Sequence, residues 1–438
     1  MSHDNPELKR ILTPAMVWGL GVGYVISGNY FGWNLGLQAG GTFGLAIAIV
    51  FVIVMYVTFT YSYAELACAI PKAGGAFDYA NRALGKNLGF LAGMAQNIEF
   101  IFAPPAIALA IGSYLNLFFP SIETIQFSIG AYVVFTAINI YGIRLAALTE
   151  LTVTGIAVVG LILFAVTLLP QASMANLGRN AFPHGVEGIF AAIPFAIWFF
   201  LGIEGIGNLA EETLNPRQTM SRGFLAALFT LIALCVMTFV GAVGAGGWPA
   251  VVLNADGSTS DAPLPMALDA VQGSSGWQYT LLIIFGLFGL VASFHGLMLA
   301  AGRSTYEFAR VNFARSPLGL IHQRFQTPAI ALIANSVIGA VALFTGRTGE
   351  IITLSVFGAL ALYIISMVSV IALRRKEPGL SRPFHTPFYP LFPWVALVIA
   401  SIALVSITLY NQRVAVVFVL IIGVCFGIFI ARKPTTAA

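Results

Sequence analysis

Charge is what this chain has least of. Only 9% of its 438 residues are Asp, Glu, Lys or Arg, against 58% hydrophobic, and the mean hydropathy is +0.90. A soluble domain of this length needs a charged surface, so the deficit excludes that class and predicts a chain that crosses a membrane many times. Cysteine is almost as scarce. Cys68, Cys235 and Cys425 lie far apart in apolar stretches, which excludes a disulfide framework and a metal-ligand spacing and leaves packing as their role. The formal net charge of +4 sits at the ends of apolar runs and points to no nucleic-acid partner. There is no catalytic triad, no metal cluster and no phosphate cradle, so neither an enzyme nor a cofactor is expected. The stretch "GVGYVISG" only grazes the glycine-rich nucleotide pattern, with no strand before it.

What the chain has in abundance is hydrophobic length. Apolar runs near 14–37, 43–67, 88–118, 125–142, 150–169, 188–210, 221–246, 278–308, 329–345, 350–373, 391–410 and 414–431 have the reach a bilayer demands. They predict an all-α polytopic membrane protein with twelve transmembrane helices. The opening "MSHDNPELKR" enters the first run without a small-residue cleavage site, so it reads as preceding a retained helix and not as a removable signal. Of the 21 Lys and Arg, all but Arg179, Arg347 and Arg413 fall on one side of this topology. That asymmetry places both termini, 1–13 and 432–438, in the cytoplasm of a plasma (inner) membrane protein. The longest outer loop carries Asp256, Asp261 and Asp269 but no basic residue.

Two of the spans are interrupted by residues that disfavour an unbroken helix. "YVISGNYFGWN" gathers Ser27, Gly28 and Asn29 in the first, and "IPFAIWFFLGIEGIGNLAEE" sets Gly202, Gly205 and Gly207 around Glu204 in the sixth. An unpaired backbone group in lipid costs several kcal/mol, about the same as any buried unsatisfied polar group, so a break survives only inside protein or along a wet cavity. One break reads equally well as glycine packing between helices. Two, in positions that correspond if helices 1–5 and 6–10 repeat with opposite orientation, point to a transport site at mid-membrane.

These residues also carry a resemblance. "SGNYFGWNLGLQAGG", "YAELACAIPKAGGAFDYANRALG", "WFFLGIEGIGNLAEETLNPRQTMSRG" and "AAGRSTYEFAR" resemble the amino acid–polyamine–organocation transporters, over almost the whole chain. The loop with Pro71, Gly74, Gly75, Tyr79 and Arg82 and the "NPRQTMSRG" tail are its more specific marks. "ISGNYFGWNLGL" and "IEFIFAPPAIALAIGSYL" look most like the ethanolamine permease branch. The resemblance implies a first inverted repeat over 14–169, a second over 188–373 with helices 1 and 6 unwound, and two added helices over 391–431. Amino acid carriers of the family have Gly-Ser-Gly or Gly-Ala-Gly where this chain has Ile26-Ser27-Gly28, then Asn29. Losing that first glycine crowds the nest for a substrate carboxylate. Glu99 stands where small residues are usual beside the substrate. Both departures suit an amine that has no carboxylate.

Glu99, well inside the third span, is the leading candidate for meeting an ammonium group, carrying a proton, or both. An ionised acid there is costly unless paired. The plainer reading is a protonated Glu99 bonded to Gln96 or Asn97. Glu204 is either a proton-linked coupling group that braces the first helix or a cap for orphan N–H groups at the broken helix end. His295 is a lone intramembrane histidine, able to titrate or simply to bond within the bundle. Trp198 aligns with a substrate-covering aromatic of the family; Phe199 and Tyr30 are weaker aromatic candidates for an ammonium. Ser27, Gly28 and Asn29 supply polar groups for a hydroxyl, and Gly202 and Gly205 give the sixth span its hinge. Glu65, Glu150, Glu211 and Glu212 are expected to pair with Arg82, Arg144, Arg217 and Arg222, and "RRKEPGLSRPFHTP" to be a solvated loop. The expected partners are the lipid bilayer, a small cationic amine such as ethanolamine and a coupling proton. Choline, putrescine or another polyamine, a neutral amino acid, and an amine-conducting channel are the alternatives. No lysine in the fifth span stands in for sodium, and Ser293 is the only mid-span hydroxyl in the eighth, which favours a proton weakly.

Overall fold

The computed structural model describes residues 10–141, 147–254, 256–312 and 316–431. The termini 1–9 and 432–438 lie outside it, as do Arg144 and Arg315. The described chain is helical almost throughout: α1 (Pro14–Val25), α2 (Ser27–Tyr30), α3 (Leu35–Ala69), α4 (Ala76–Leu84), α5 (Lys86–Phe118), α6 (Thr124–Tyr141), α7 (Ala147–Leu168) and α8 (Met174–Gly178). After these come α9 (Gly185–Trp198), α10 (Pro216–Gly246), α11 (Pro263–Gln272), α12 (Trp277–Asn312), α13 (Ala329–Leu343), α14 (Thr348–Lys376), α15 (Leu391–Tyr410) and α16 (Gln412–Ala431). Extended pairing among the described residues amounts to the isolated bridges Leu12–Thr213 and Leu253–Thr259. Ten of these segments are long and apolar enough to span a membrane, and α1 and α13 are shorter apolar helices.

The boundaries follow local chemistry. α1 begins where the Thr13 hydroxyl accepts from the Met16 N–H and Pro14 supplies a first-turn residue with no N–H to satisfy. The turn expected between the first two apolar runs is instead a kink: α3 carries the chain through Gly41, at φ 64° and ψ −170°, with no true loop.

The core sits where α1 packs against α7, α10 and α12, and where α5 packs against α12 and α14. α3 lies along α9 and α15, while α16 rides at the periphery with few of its residues covered. Large aromatics fill the interior: Trp33, Tyr30, Tyr56, Tyr63 and Phe100 are fully buried.

The ion pairs at the helix ends differ from the sequence expectation. Glu65 takes a two-pronged contact from Arg374 at 2.6 and 2.8 Å, a longer one from Arg382 at 3.4 Å and a backbone N–H from Thr386 at 2.7 Å. Arg374 also covers the ring of Tyr389 at 4.2 Å. Arg82 pairs with Glu377 at 2.6 Å and Glu212 with Arg303 at 2.8 Å, while Glu211 accepts the Ala73 N–H. The loop "RRKEPGLSRPFHTP" is therefore no idle solvated segment; its arginines neutralise an acid from α3. Sequence distance hid this, because Glu65 and Arg374 are 309 residues apart. Arg144 and the side chain of Arg217 lie outside the described residues, so those two expected pairings have no counterpart here.

Candidate functional site

The first interruption falls later than the sequence suggests. Ile26 is still helical at φ −60° and ψ −24°, and Ser27 to Tyr30 form a further turn. The chain leaves the helix only at Phe31, which is extended, and turns through 31–34 before α3 starts. Its peptide groups are not left bare. Ser293 of α12 donates to the Gly23 carbonyl at 2.6 Å and accepts the Ser27 N–H at 3.0 Å. Tyr114 donates to the Tyr30 carbonyl, Trp33 to that of Asn29 and Trp198 to that of Phe31. The Gly32 N–H reaches the side chain of Asn34 at 3.0 Å. Side-chain donors thus complete a ladder that lipid could not.

The second interruption matches its glycine signature. α9 stops at Trp198, and Gly202 at φ 96° occupies a left-handed conformation that a side chain strains. Ten residues of tight 3₁₀ helix, Ile203–Glu212, follow, an unusually long run of a geometry that marks hinges. The two breaks touch. A Cβ on Gly28 would collide with the Trp198 carbonyl oxygen, so only glycine lets the backbones approach so closely. Gly205 lies on the rings of Tyr24 and Phe100.

Glu99 and Glu204 meet at this junction. Both are buried, at 0% and 1% exposure, and their carboxyls face each other. The Tyr363 hydroxyl donates to Glu204 Oε2 at 2.8 Å and lies 3.0 Å from that of Tyr56. Among the described residues neither oxygen of Glu99 has a donor in good hydrogen-bond geometry, nor has Glu204 Oε1, although the Gly202 N–H lies close enough to act on Glu99. Among the described residues no Lys, Arg or His comes within ion-pair distance of either acid. Two buried carboxyls in contact cannot both ionise without a counter-charge, which leaves a place for a proton or a cation. Gln96 and Asn97 do not bond Glu99: they turn to Ser304 and to Gly93 and Thr305. The Glu99 carbonyl is taken by Ser355 at 2.8 Å.

The other sequence candidates divide. Trp198 stands edge-on to Phe31 at 5.5 Å and Phe199 stacks on Trp33 at 5.6 Å, both on the break. Asn29 is fully buried, and its amide oxygen and nitrogen both lack partners among the described residues. Tyr30 is committed elsewhere, donating to the Ala157 carbonyl at 2.6 Å. His295 is not brought to Glu99; its Nδ1 lies 3.9 Å from Oε2 of Glu150, whose Oε1 adjoins Gly23 near the C-terminal end of α1. Glu150 accordingly faces a histidine where an arginine was expected. A cavity of about 450 Å³ opens away from the acid pair, beside Arg10, Cys68, Asn215 and Leu380. Sequence reasoning missed Tyr363, Tyr56 and Ser355. A lone tyrosine in the otherwise aliphatic "GALALYIIS" was the available signal.

Residues 16–434 match the family model described as amino acid permease. The chain belongs to the amino acid permease family. This permease is 28% identical to an uncharacterized transporter of Rhizobium meliloti over 93% of its own length and 88% of the relative's. It is 25% identical to the methylthioribose transporter of Bacillus subtilis (89% and 87% covered) and 26% to the low-affinity putrescine importer PlaP of Escherichia coli (89% of each). A manganese transporter of Eremococcus coleocola has a similar fold, at TM-score 0.63 over 98% of this chain and 97% of that one. With 15% identity, that likeness speaks to fold alone. The permease is thus an integral membrane transporter of amino acid-like substrates and not an enzyme.

Proposed function

We propose that this permease is a secondary carrier that imports a small primary amine, with ethanolamine the favoured substrate, by alternating access coupled to a proton. The observation that carries the reading is the pair of facing buried acids without a basic partner. A substrate ammonium beside Glu99 supplies the missing positive charge. Glu204, held by Tyr363, keeps the proton that lets two acids share one site. The unpartnered amide of Asn29 is the polar group offered to a hydroxyl, and Trp198 and Phe199 form apolar walls. Because Ser27 and the peptide groups around it are already bonded, they serve this reading as the frame of the site, with Gly28, Gly202 and Gly205 as its hinges.

Putrescine is a weaker fit, although one relative is named for importing it. A diamine wants acids at its two ends, whereas Glu99 and Glu204 face each other at one. We read the chain as twelve crossings, with α1 to α7 and α9 to α14 forming two inverted repeats, α15 and α16 added, and both termini cytoplasmic. In that frame the two broken spans close in turn on either side of the amine.

Counterflow in vesicles of the purified protein tests the reading. Ethanolamine inside should drive saturable entry of labelled ethanolamine, and Glu99→Gln should reduce that exchange by about tenfold or more, given the worth of a charge-assisted contact. Linear, non-saturating flux would instead favour a channel. An unaltered apparent affinity for the amine in Glu99→Gln would remove the central site assignment.

A further inference from the structure

A second buried acid, Glu150 on α7, is left unused by the site above. It is 6% exposed, and His295 on α12, 7% exposed, is its only basic neighbour within 4.0 Å among the described residues. The Nδ1 to Oε2 separation of 3.9 Å is too long for a hydrogen bond and short enough for a strong Coulomb interaction in an apolar setting. The other oxygen, Oε1, has no donor among the described residues. It points at α1: a Cβ built on Gly23 would lie 2.9 Å from Glu150 Oε1 and 2.7 Å from Thr154 Oγ1.

The same two helices also grip α1 by its backbone. Thr154 of α7 donates to the Gly19 carbonyl at 3.1 Å, and Ser293 of α12 donates to the Gly23 carbonyl. Glu150 and Thr154, one turn apart on α7, therefore meet α1 side by side. Other ionisable groups around the pair are few. Tyr24 of α1 feels Glu150 together with Arg303 and Glu212, and those last two neutralise each other at 2.8 Å. Toward α6 the histidine ring lies 6.0 Å from that of Phe135.

We propose that Glu150 and His295 form a second protonation site, apart from the Glu99–Glu204 pair, which keeps α1, the first half of the broken span, docked while it holds one proton. With one proton the pair is electrically balanced, whether the proton sits on the acid or on the imidazole. Without it a charged carboxylate presses an oxygen that has no donor among the described residues against Gly23, and the relief open to it is for α1 to move off and admit water. Loss of the proton thus favours release of the half-helix. Its use in transport rests on the carrier reading; the site itself does not.

Hydrogen exchange of residues 14–25 in lipid nanodiscs, followed from pH 5 to pH 9 and corrected for the intrinsic chemistry of amide exchange, tests this. One proton linked to docking makes protection fall by up to about tenfold per pH unit across the transition. Glu150→Gln should abolish the pH slope and leave the segment protected throughout, and His295→Gln should move the transition along the pH axis. Glu99→Gln should leave it in place. A folded Glu150→Gln protein with the unsubstituted slope would overturn the proposal. If that variant does not fold, His295→Gln decides: an unmoved transition overturns it, a displaced one supports it. Counterflow with the unsubstituted protein is run alongside. Its failure would refute the amine reading and leave the exchange result standing as a test of the proton site.

Discussion

Tyr363 shows how much a single hydroxyl carries in this interior. It donates to Glu204 and is bonded to Tyr56, whose own oxygen is 3.4 Å from the Ile197 carbonyl at the end of α9. Tyr363→Phe keeps the ring that packs on Phe59 at 4.3 Å and deletes the hydroxyl that donates to Glu204 Oε2. Leaving a buried acceptor unmet costs about 1–3 kcal/mol. We expect the variant to fold, to melt at a lower temperature in detergent and to lose counterflow. A thermal midpoint equal to that of the unsubstituted protein would mean that water or the Glu99 side chain takes over the contact. Glu99 and Glu204 could be picked out in the sequence because an acid within an apolar run has few innocent explanations. Their contact could not: it joins residues that lie 105 positions apart on α5 and past α9, and no local pattern encodes that distance.

The broken spans are elements whose faults are complementary. In the first, side-chain donors from α5 and α12 and from the neighbouring turn satisfy the peptide groups; in the second, glycine conformation and a tight helix do so. The existence of both breaks was legible because glycine and polar residues in mid-span conflict with an uninterrupted helix. Their placement was legible only in the second, where a left-handed residue must be glycine and Gly202 is one. In the first, Ser27 and Gly28 proved helical and the departure came at Phe31, since an extended φ near −160° leaves no compositional mark. Gly28 serves proximity instead. Gly28→Ala would push a methyl group into the Trp198 carbonyl, a backbone atom that cannot rotate away. Overpacking of this kind costs about 1–3 kcal/mol, so the two breaks should separate and counterflow should drop steeply. Gly155→Ala on α7, whose Cβ meets nothing within 4 Å, is the matched control and should transport normally. Equal activity in the two variants would show that contact between the breaks is dispensable.

At the scale of the whole molecule, the fold is held shut at both ends by contacts far apart in sequence. At one end Glu65 gathers Arg374 and Arg382, tying α3 to α14 and the segment after it. At the other, the segment before α11 lies over the first break: Asn34 donates to the carbonyls of Val251 and Ser260, and Thr348 at the start of α14 donates to Asp261 at 2.9 Å. Composition marked that segment as acidic and free of basic residues, but not as a cover, because its anchors are backbone carbonyls that any sequence possesses. Asp261 makes the cover sensitive to pH. Burial pushes its carboxyl up to about 6, against the opposing effect of the Thr348 hydrogen bond, whereas a released segment would ionise at the ordinary value near 4. Between those values the docked form binds more protons than the released one, so docking is strongest below about pH 4, weakens as pH rises, and levels off above about pH 6. Asp261 keeps some contact with solvent, so the slope should be shallower than the about tenfold per pH unit of a fully enclosed acid. Amide exchange in residues 247–262 should therefore slow on acidification through this window, after correction for intrinsic rates, and Asp261→Asn should make it flat. A slope that survives in Asp261→Asn would show that Asp261 does not control the docking of the cover.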